Sequence, residues 1–201
     1  MRRRTAAFSA LLSVLLLASL ITSASAKVAR TPYSAFNFPA GWPQTGTECP
    51  GTPVSTPIIV CQVGGGSIDQ LPNGRWIIRD LETLSIIYAT SDGELSGYQL
   101  AKLNANLDAM ANGPTTGTWT NYTAAGQETF AGTISGKFVT LDGNVRLSGH
   151  FLGLGAGKYA GLHITGDFFP EDQYIEVDGQ EVAIGNVIGE LKEPGVPAQG
   201  G

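Results

Sequence analysis

A five-residue pattern that repeats along the chain places the strongest constraint on its fold. It combines an aliphatic residue, a hydroxyl residue, Gly, a variable polar residue and Phe, and it occurs as ISGKF at 134–138, LSGHF at 147–151 and ITGDF at 164–168. LSGY at 95–98 is a looser copy. Alternate side chains of a strand point to opposite faces. If the copies are strands, the aliphatic residue, the Gly and the Phe of each one share a face.

Glycine in the middle of a strand normally marks a bend or a close approach of neighbouring atoms. Where several strands carry Gly between two large apolar residues, the sheet can coil sharply while the Phe rings fill the space beside the glycines. The pattern therefore predicts an all-β fold in which an antiparallel meander closes into a small β-barrel. A β-sandwich is the alternative, because its strands show the same alternation. The residues that we expect to line a cavity for a ligand are Phe138, Phe151, Tyr159 and Phe168.

Turn dipeptides separate the segments that are rich in Ile, Val, Leu, Tyr, Phe and Thr. Asn73-Gly74, Asp92-Gly93, Asp142-Gly143 and Asp178-Gly179 each lie between two such segments. These residue pairs tolerate positive φ at both central turn positions, which suits the twist of antiparallel strands. Each dipeptide is therefore a hairpin signal.

The segment LSGYQLAKLNANLDAMANG at 95–113 stays undecided between helix and strand. Its Leu100, Leu103 and Leu107 have the three- and four-residue spacing of a helix face. Gly97 and Tyr98 fit a strand equally well.

The first 26 residues have the three parts of a secretory signal peptide. Arg2, Arg3 and Arg4 are followed by a short apolar run and by Ala24-Ser25-Ala26. A membrane anchor is the alternative, but the apolar run is shorter than the roughly 20 residues that a span needs. We expect cleavage after Ala26 and a secreted or otherwise extracytoplasmic protein without a stable membrane span.

Composition divides the rest of the chain into three parts. Residues 27–57 are dense in Pro and Gly and predict an extended lead-in, because Pro fixes φ and removes a donor. Residues 58–189 are expected to form the β-barrel domain. Residues 190–201 contain almost nothing apolar to bury, so we expect a disordered tail.

Cys49 and Cys61 are the two cysteines of the chain. In an oxidising compartment they are expected to form a disulfide bond. Two thiols without an adjacent His supply too few ligands for a closed metal site.

Charge excludes one large class of partner. The chain has 12 Lys and Arg residues against 17 Asp and Glu. The leader holds three of the Arg and no acidic residue, so the remainder carries nine basic against 17 acidic residues, a net charge of −8. Such a surface repels phosphate backbones, so nucleic acid is not an expected partner.

His150, His163 and Asp167 are the weak candidates for a metal site or a proton relay. If the segment between the two histidines is a hairpin, both His side chains would lie nearly opposite each other on the face that also carries Asp167. The alternative is an ordinary solvated polar face. Asn121-Tyr122-Thr123 has the pattern of a glycosylation acceptor. No pattern in the sequence indicates a catalytic residue or a cofactor.

The Gly-rich segment GLGAGKYAGLHITGDF at 153–168 resembles the turn and strand of the allene oxide cyclase and dirigent barrel superfamily, and of small secreted bacterial β-barrels of similar shape. The resemblance covers at most residues 116–169. It implies an eight-stranded, mostly antiparallel barrel with an apolar interior, often assembled into homo-oligomers. The motif places neither the catalytic carboxylate nor the substrate-binding residues of that family on a position of this chain, so its isomerase activity is not carried over. The matching residues are Gly155, Gly157, Tyr159 and Gly161.

Three classes of function follow as expectations. The first is non-catalytic binding of an apolar small molecule or of a surface partner by a secreted barrel. The second is a cyclase or isomerase type of enzyme that uses the barrel cavity, an expectation that rests on fold analogy. The third is a structural interaction module of the cell surface.

Overall fold

The computed structural model describes residues 30–41, 47–141, 144–169, 174–177, 180–183 and 185–193. The predicted signal peptide and its cleavage site lie outside these residues, and so does most of the predicted tail. Within the described part of the chain, no helix has the length and apolar character needed to cross a membrane.

The described backbone is built from short and long β-strands joined by turns. They are β1 (Arg30–Pro39), β2 (Thr52–Val54), β3 (Val60–Gln62), β4 (Ser67–Gln70), β5 (Trp76–Ala89), β6 (Gly97–Leu107), β7 (Gly113–Thr123), β8 (Glu128–Leu141), β9 (Asn144–Gly155), β10 (His163–Phe169), β11 (Tyr174–Val177), β12 (Gln180–Ala183) and β13 (Gly185–Lys192). Two 3₁₀ turns, Gly93–Leu95 and Gly157–Tyr159, lie in the connections β5–β6 and β9–β10.

Eight of these strands form a closed antiparallel ring, which confirms the all-β fold and the barrel. Strands β5 to β10 pair in chain order, β13 pairs with β10, and β1 pairs with both β13 and β5. A β-sandwich has two separate sheets, so the ring rules that alternative out. Strands β11 and β12 pair only with each other among the described residues.

The expected disulfide bond is present, and it lies beside β3, a short strand that pairs with β5 outside the ring. Half of β5 pairs with β1, and its other half pairs with β3 and β4. Cys61 of β3 is fully buried and is bonded to Cys49. The bond therefore ties the segment before β2 to the strand that flanks the ring.

The repeated pentapeptide has the two faces that the alternation predicts. Ile134, Phe138 and Phe151 are buried inside the ring, whereas Lys137 and His150 are exposed outside it. The aliphatic residue, the Gly and the Phe of each copy thus form the inner wall of the barrel.

Two glycines of the wall, Gly166 of the repeat and Gly153 just after it on β9, make room for aromatic rings of other strands. Gly166 of β10 pairs with Phe151 of β9, and a Cβ on Gly166 would lie 2.6 Å from the Phe151 Cζ. A Cβ on Gly153 would lie 2.7 Å from the Trp119 Cζ2. A side chain at either position would therefore collide with a ring that fills the interior.

The undecided segment at 95–113 forms strand β6 rather than a helix. Gln99, Ala101, Leu103, Ala105 and Leu107 alternate with more exposed residues, which is the period of a strand. The helical spacing of the leucines is coincidental, because Leu100 lies on the outer face.

Two predicted domain boundaries are wrong. The lead-in at 27–57 contains β1, an integral strand of the ring, and the tail predicted from residue 190 begins with the end of β13. A strand needs an apolar side chain only at alternate positions, so Leu191 between Glu190 and Lys192 is sufficient. Pro32 is tolerated because its part of β1 pairs with β13 alone.

The two turn dipeptides that lie within the described residues each connect two antiparallel strands, as predicted. The turn at Asn73-Gly74 joins β4 to β5, and Asp92-Gly93 lies in the connection from β5 to β6. The other two dipeptides separate β8 from β9 and β11 from β12, but their own residues lie outside the described part of the chain.

Candidate functional site

A row of three carboxamides crosses the interior of the barrel. The Asn37 Nδ2 donates to the Gln99 Oε1 at 3.1 Å, and the Gln99 Nε2 donates to the Asn121 Oδ1 at 2.9 Å. Gln99 and Asn121 are direct partners on β6 and β7. Asn37 reaches them from β1, across β5. The ring closure between β1 and β5 therefore assembles the row.

This carboxamide row (Asn37, Gln99 and Asn121) lines a small cavity whose remaining walls are apolar. The cavity has a volume of about 10 Å³, which is room for about one water molecule. Its walls combine the row with aromatic and aliphatic side chains. They are Tyr33, Trp119, Phe151, Phe168, Ile87, Ile164 and Val187.

Aromatic rings on one side of the cavity contact each other. The Phe151 ring centroid lies 6.1 Å from that of Trp119 and 5.2 Å from that of Phe168. The Trp119 Nε1 donates to the Thr133 carbonyl oxygen at 3.1 Å, which fixes the indole ring. Phe168 is only partly buried, so it is the least enclosed ring of the group.

The electrostatics of the cavity are those of a neutral site. None of the described lining residues is acidic, basic or a histidine. Burial raises the pKa of the Tyr33 phenol, so this group stays protonated at neutral pH. The described lining can therefore offer hydrogen-bond donors and acceptors but no charged group.

The structure separates the four residues predicted to line the cavity. Phe151 and Phe168 line it, whereas Phe138 and Tyr159 are buried away from it. Tyr159 packs on Phe130 at 5.3 Å, and its Oη is buried without a hydrogen-bond partner.

The carboxamides themselves were not predicted from the sequence as binding residues. Their signal is a polar residue within an otherwise apolar inner face: Gln99 alternates with Ala101 and Leu103, and Asn121 follows Trp119 at the same spacing. The glycosylation pattern at Asn121 has a different explanation, because this side chain is buried and bonded to Gln99.

The predicted polar face around His150 lies on the outer wall. The strand register places His150 opposite Asp167 and places His163 opposite Leu154, so the two histidines are not partners. The expected His pair is therefore absent. Among the described residues, no group of three His, Cys, Asp or Glu side chains could hold a metal ion.

His150 nevertheless has two side-chain partners. Its Nδ1 lies 3.0 Å from the Asp167 Oδ1, and its Nε2 lies 3.1 Å from the Thr165 Oγ1. Hydroxyl, imidazole and carboxylate are thus connected as in a nucleophilic triad. A triad also needs N–H groups to stabilise an oxyanion. The backbone of β10 pairs with β9 on one side and with β13 on the other. Its N–H groups therefore serve the sheet and are not placed to stabilise an oxyanion.

An open groove of about 570 Å³ borders these residues on the outer wall. Its charges are matched within the groove: Glu190 lies 3.5 Å from Arg30 and 3.6 Å from Lys192, and His150 faces Asp167. Such exposed pairs contribute little and leave no net field for a charged ligand. The interior row is therefore the better candidate for a binding site.

Searches against protein-family models, curated proteins and solved structures find no match to this chain. The resemblance of residues 153–168 to the allene oxide cyclase and dirigent superfamily consequently remains an expectation from sequence.

Proposed function

We propose that this chain is a secreted, non-catalytic binding protein that takes a small molecule into the interior of its barrel. The observation that carries the proposal is the carboxamide row beside the aromatic cavity. Three carboxamides have many donors and acceptors, and the two hydrogen bonds within the row use only a minority of them.

A barrel of this size does not need polar side chains in its interior to be stable. Burying an amide without full hydrogen bonding costs free energy, and replacing all members of such a network by apolar groups of similar shape is often neutral or stabilising. A polar row inside an aromatic wall therefore supports a role in binding. The disulfide bond and the predicted leader support an extracytoplasmic location.

The cavity has room for about one water molecule, so binding of a larger molecule must be coupled to a change of side-chain position. In the proposal the ligand selects a minor state in which the partly buried Phe168 has rotated away from the cavity. The other lining rings are held by close packing and, for Trp119, by a hydrogen bond.

Native mass spectrometry of mature protein purified from the extracellular fraction tests the proposal. We expect a small mass that is retained in the native spectrum and released on denaturation. Gln99→Leu should lose this mass, and Gln127→Leu, which alters an exposed turn residue, should keep it. Bare protein in every wild-type preparation would contradict the proposal. The same spectra give the number of subunits.

Binding of a macromolecular partner at the outer wall is the second candidate. It is favoured by Leu152, Leu154 and Ile188, which are 53%, 57% and 48% exposed. Exposed apolar side chains on one wall can mark an interaction site. Under this proposal, Leu152→Ser together with Leu154→Ser would abolish co-purification of a partner from the extracellular fraction without changing the retained small mass.

A further inference from the structure

We propose that the interior ligand is a neutral molecule that both donates and accepts hydrogen bonds, such as an amide or lactam, on a small flat apolar body. This inference rests on the proposed function. It concerns the chemistry that the carboxamide row and the aromatic wall would select.

The first argument concerns charge. The described lining offers no cationic group to a carboxylate and no anionic group to an amine. A charged ligand would lose its hydration without gaining an ion pair, and burial of an unpaired charge is strongly unfavourable. The site therefore discriminates against fatty acids and other anions.

The second argument concerns hydrogen bonding. Among the described residues, the three carboxamide side chains make no hydrogen bond beyond the two of the row. Turning all three carboxamides by 180° reverses the direction of the row, but N–H donors and carbonyl acceptors still remain for a ligand. An apolar ligand would leave these groups without partners, whereas an amide or lactam can satisfy both kinds.

The third argument concerns shape. The rings of Phe151, Trp119 and Phe168 make tilted or edge-on contacts, an arrangement that can take a further flat ring. Phe168 lies opposite Gly149, contacts Phe151 on the same strand and is less buried than Phe151 and Trp119. Phe168 is therefore the residue that moves to admit the ligand.

Binding of three matched probes to the mature, disulfide-bonded protein tests this selectivity. Benzamide is neutral and both donates and accepts, benzoate has the same shape with a negative charge, and toluene lacks the polar group. Titrations are followed by ¹⁵N NMR at the indole Nε1–H of Trp119 and the side-chain amide of Gln99. We expect benzamide to shift both signals and to bind at least tenfold more tightly than either control.

Two variants separate recognition from loss of the fold. Gln99→Leu should lose the preference for benzamide, while Gln127→Leu retains it. Because Gln99→Leu leaves Asn37 and Asn121 without their partner, the triple variant Asn37→Leu, Gln99→Leu, Asn121→Leu provides a second test. It removes the row as a unit and should prefer toluene at least tenfold.

The outcomes distinguish this inference from the proposed function. If toluene or benzoate binds wild type as tightly as benzamide, the inference is wrong and interior binding stands. If no probe shifts the Trp119 signal although native spectra show a retained mass, the inference is also wrong. If no probe binds and the native protein is bare, both proposals fail.

Discussion

Gly136 of β8 and Gly149 of β9 are direct partners in the barrel wall, and a Cβ on Gly149 would lie 2.5 Å from the Gly136 Cα. The Ser135 carbonyl oxygen would lie equally close, at 2.5 Å. These neighbours are backbone atoms of a paired strand, so they cannot move aside without disturbing the sheet. The pair therefore requires glycine on both strands.

Gly149→Val should lower the free energy of unfolding by about 3 kcal/mol or prevent folding, because it overpacks the inner wall. Urea denaturation of the purified variant measures the effect. Lys137→Ala is the matched control, since this side chain is exposed on the outer face of the neighbouring strand. Equal effects of the two substitutions would contradict the assignment of faces.

Gln99→Leu should lower the free energy of unfolding by about 2 kcal/mol in the absence of ligand. It leaves the partly buried amide of Asn37 and the buried carbonyl of Asn121 without the partner that each has in the row. Chemical denaturation measures the loss, with Gln127→Leu as control. The triple leucine variant should recover most of the stability. If it is less stable than Gln99→Leu alone, overpacking rather than unpaired amides explains the result.

The ion pair between Glu94 and Lys158 connects the two 3₁₀ turns. Its contribution to the stability of the fold should depend on pH. The hydrogen bond and charge of Lys158 lower the pKa of Glu94, and the hydrogen bond to Glu94 raises the pKa of Lys158. The stabilisation from this contact is thus complete between pH 4.5 and pH 10.5, which are the ordinary pKa values of the Glu and Lys side chains. It is lost as pH falls through the lowered Glu94 pKa or rises through the raised Lys158 pKa.

Glu94→Gln should therefore reduce the thermal midpoint slightly at neutral pH, and this reduction should fade as the pH is lowered from 4.5 through the Glu94 pKa. Thermal denaturation over this pH range measures the difference. Glu128→Gln changes another exposed carboxylate near the same end of the barrel and serves as control. A reduction that does not fade as the pH is lowered would show that the ion pair is not its cause.

Removal of the disulfide bond should lower the free energy of unfolding by about 3 kcal/mol, because the bond closes a short loop and restricts the unfolded chain. Cys49→Ala together with Cys61→Ala gives the change, measured by denaturation against the oxidised wild type. Wild type treated with reductant is the matched control. If the oxidised and reduced proteins unfold at the same denaturant concentration, the bond does not contribute to stability.

Features that depend on near neighbours along the chain were predictable from the sequence. The face of Phe151 follows from its alternation with His150 and Leu152, and the hairpin at Asn73-Gly74 follows from turn chemistry. The disulfide bond was expected because the chain has two cysteines and a predicted leader to an oxidising compartment, and the loop that it closes is short. In each case the relevant energy terms act within a few residues, or within one short loop.

The candidate site depends on tertiary structure instead. Asn37 and Gln99 are 62 residues apart, and Gln99 and Asn121 are 22 apart. Their contact depends on the closure of β1 against β5 and on the register of β6 with β7, which no local pattern encodes. The register of β9 and β10 likewise gave His150 the partner Asp167 rather than His163.

The sequence by itself thus determined the class of fold, the inner and outer faces of the strands and the positions where glycine is needed, because alternation and backbone sterics act locally. Tertiary structure alone decided which polar side chains meet inside the barrel and how little volume remains beside them. Ring closure and side-chain packing are collective properties of strands that lie far apart in the chain.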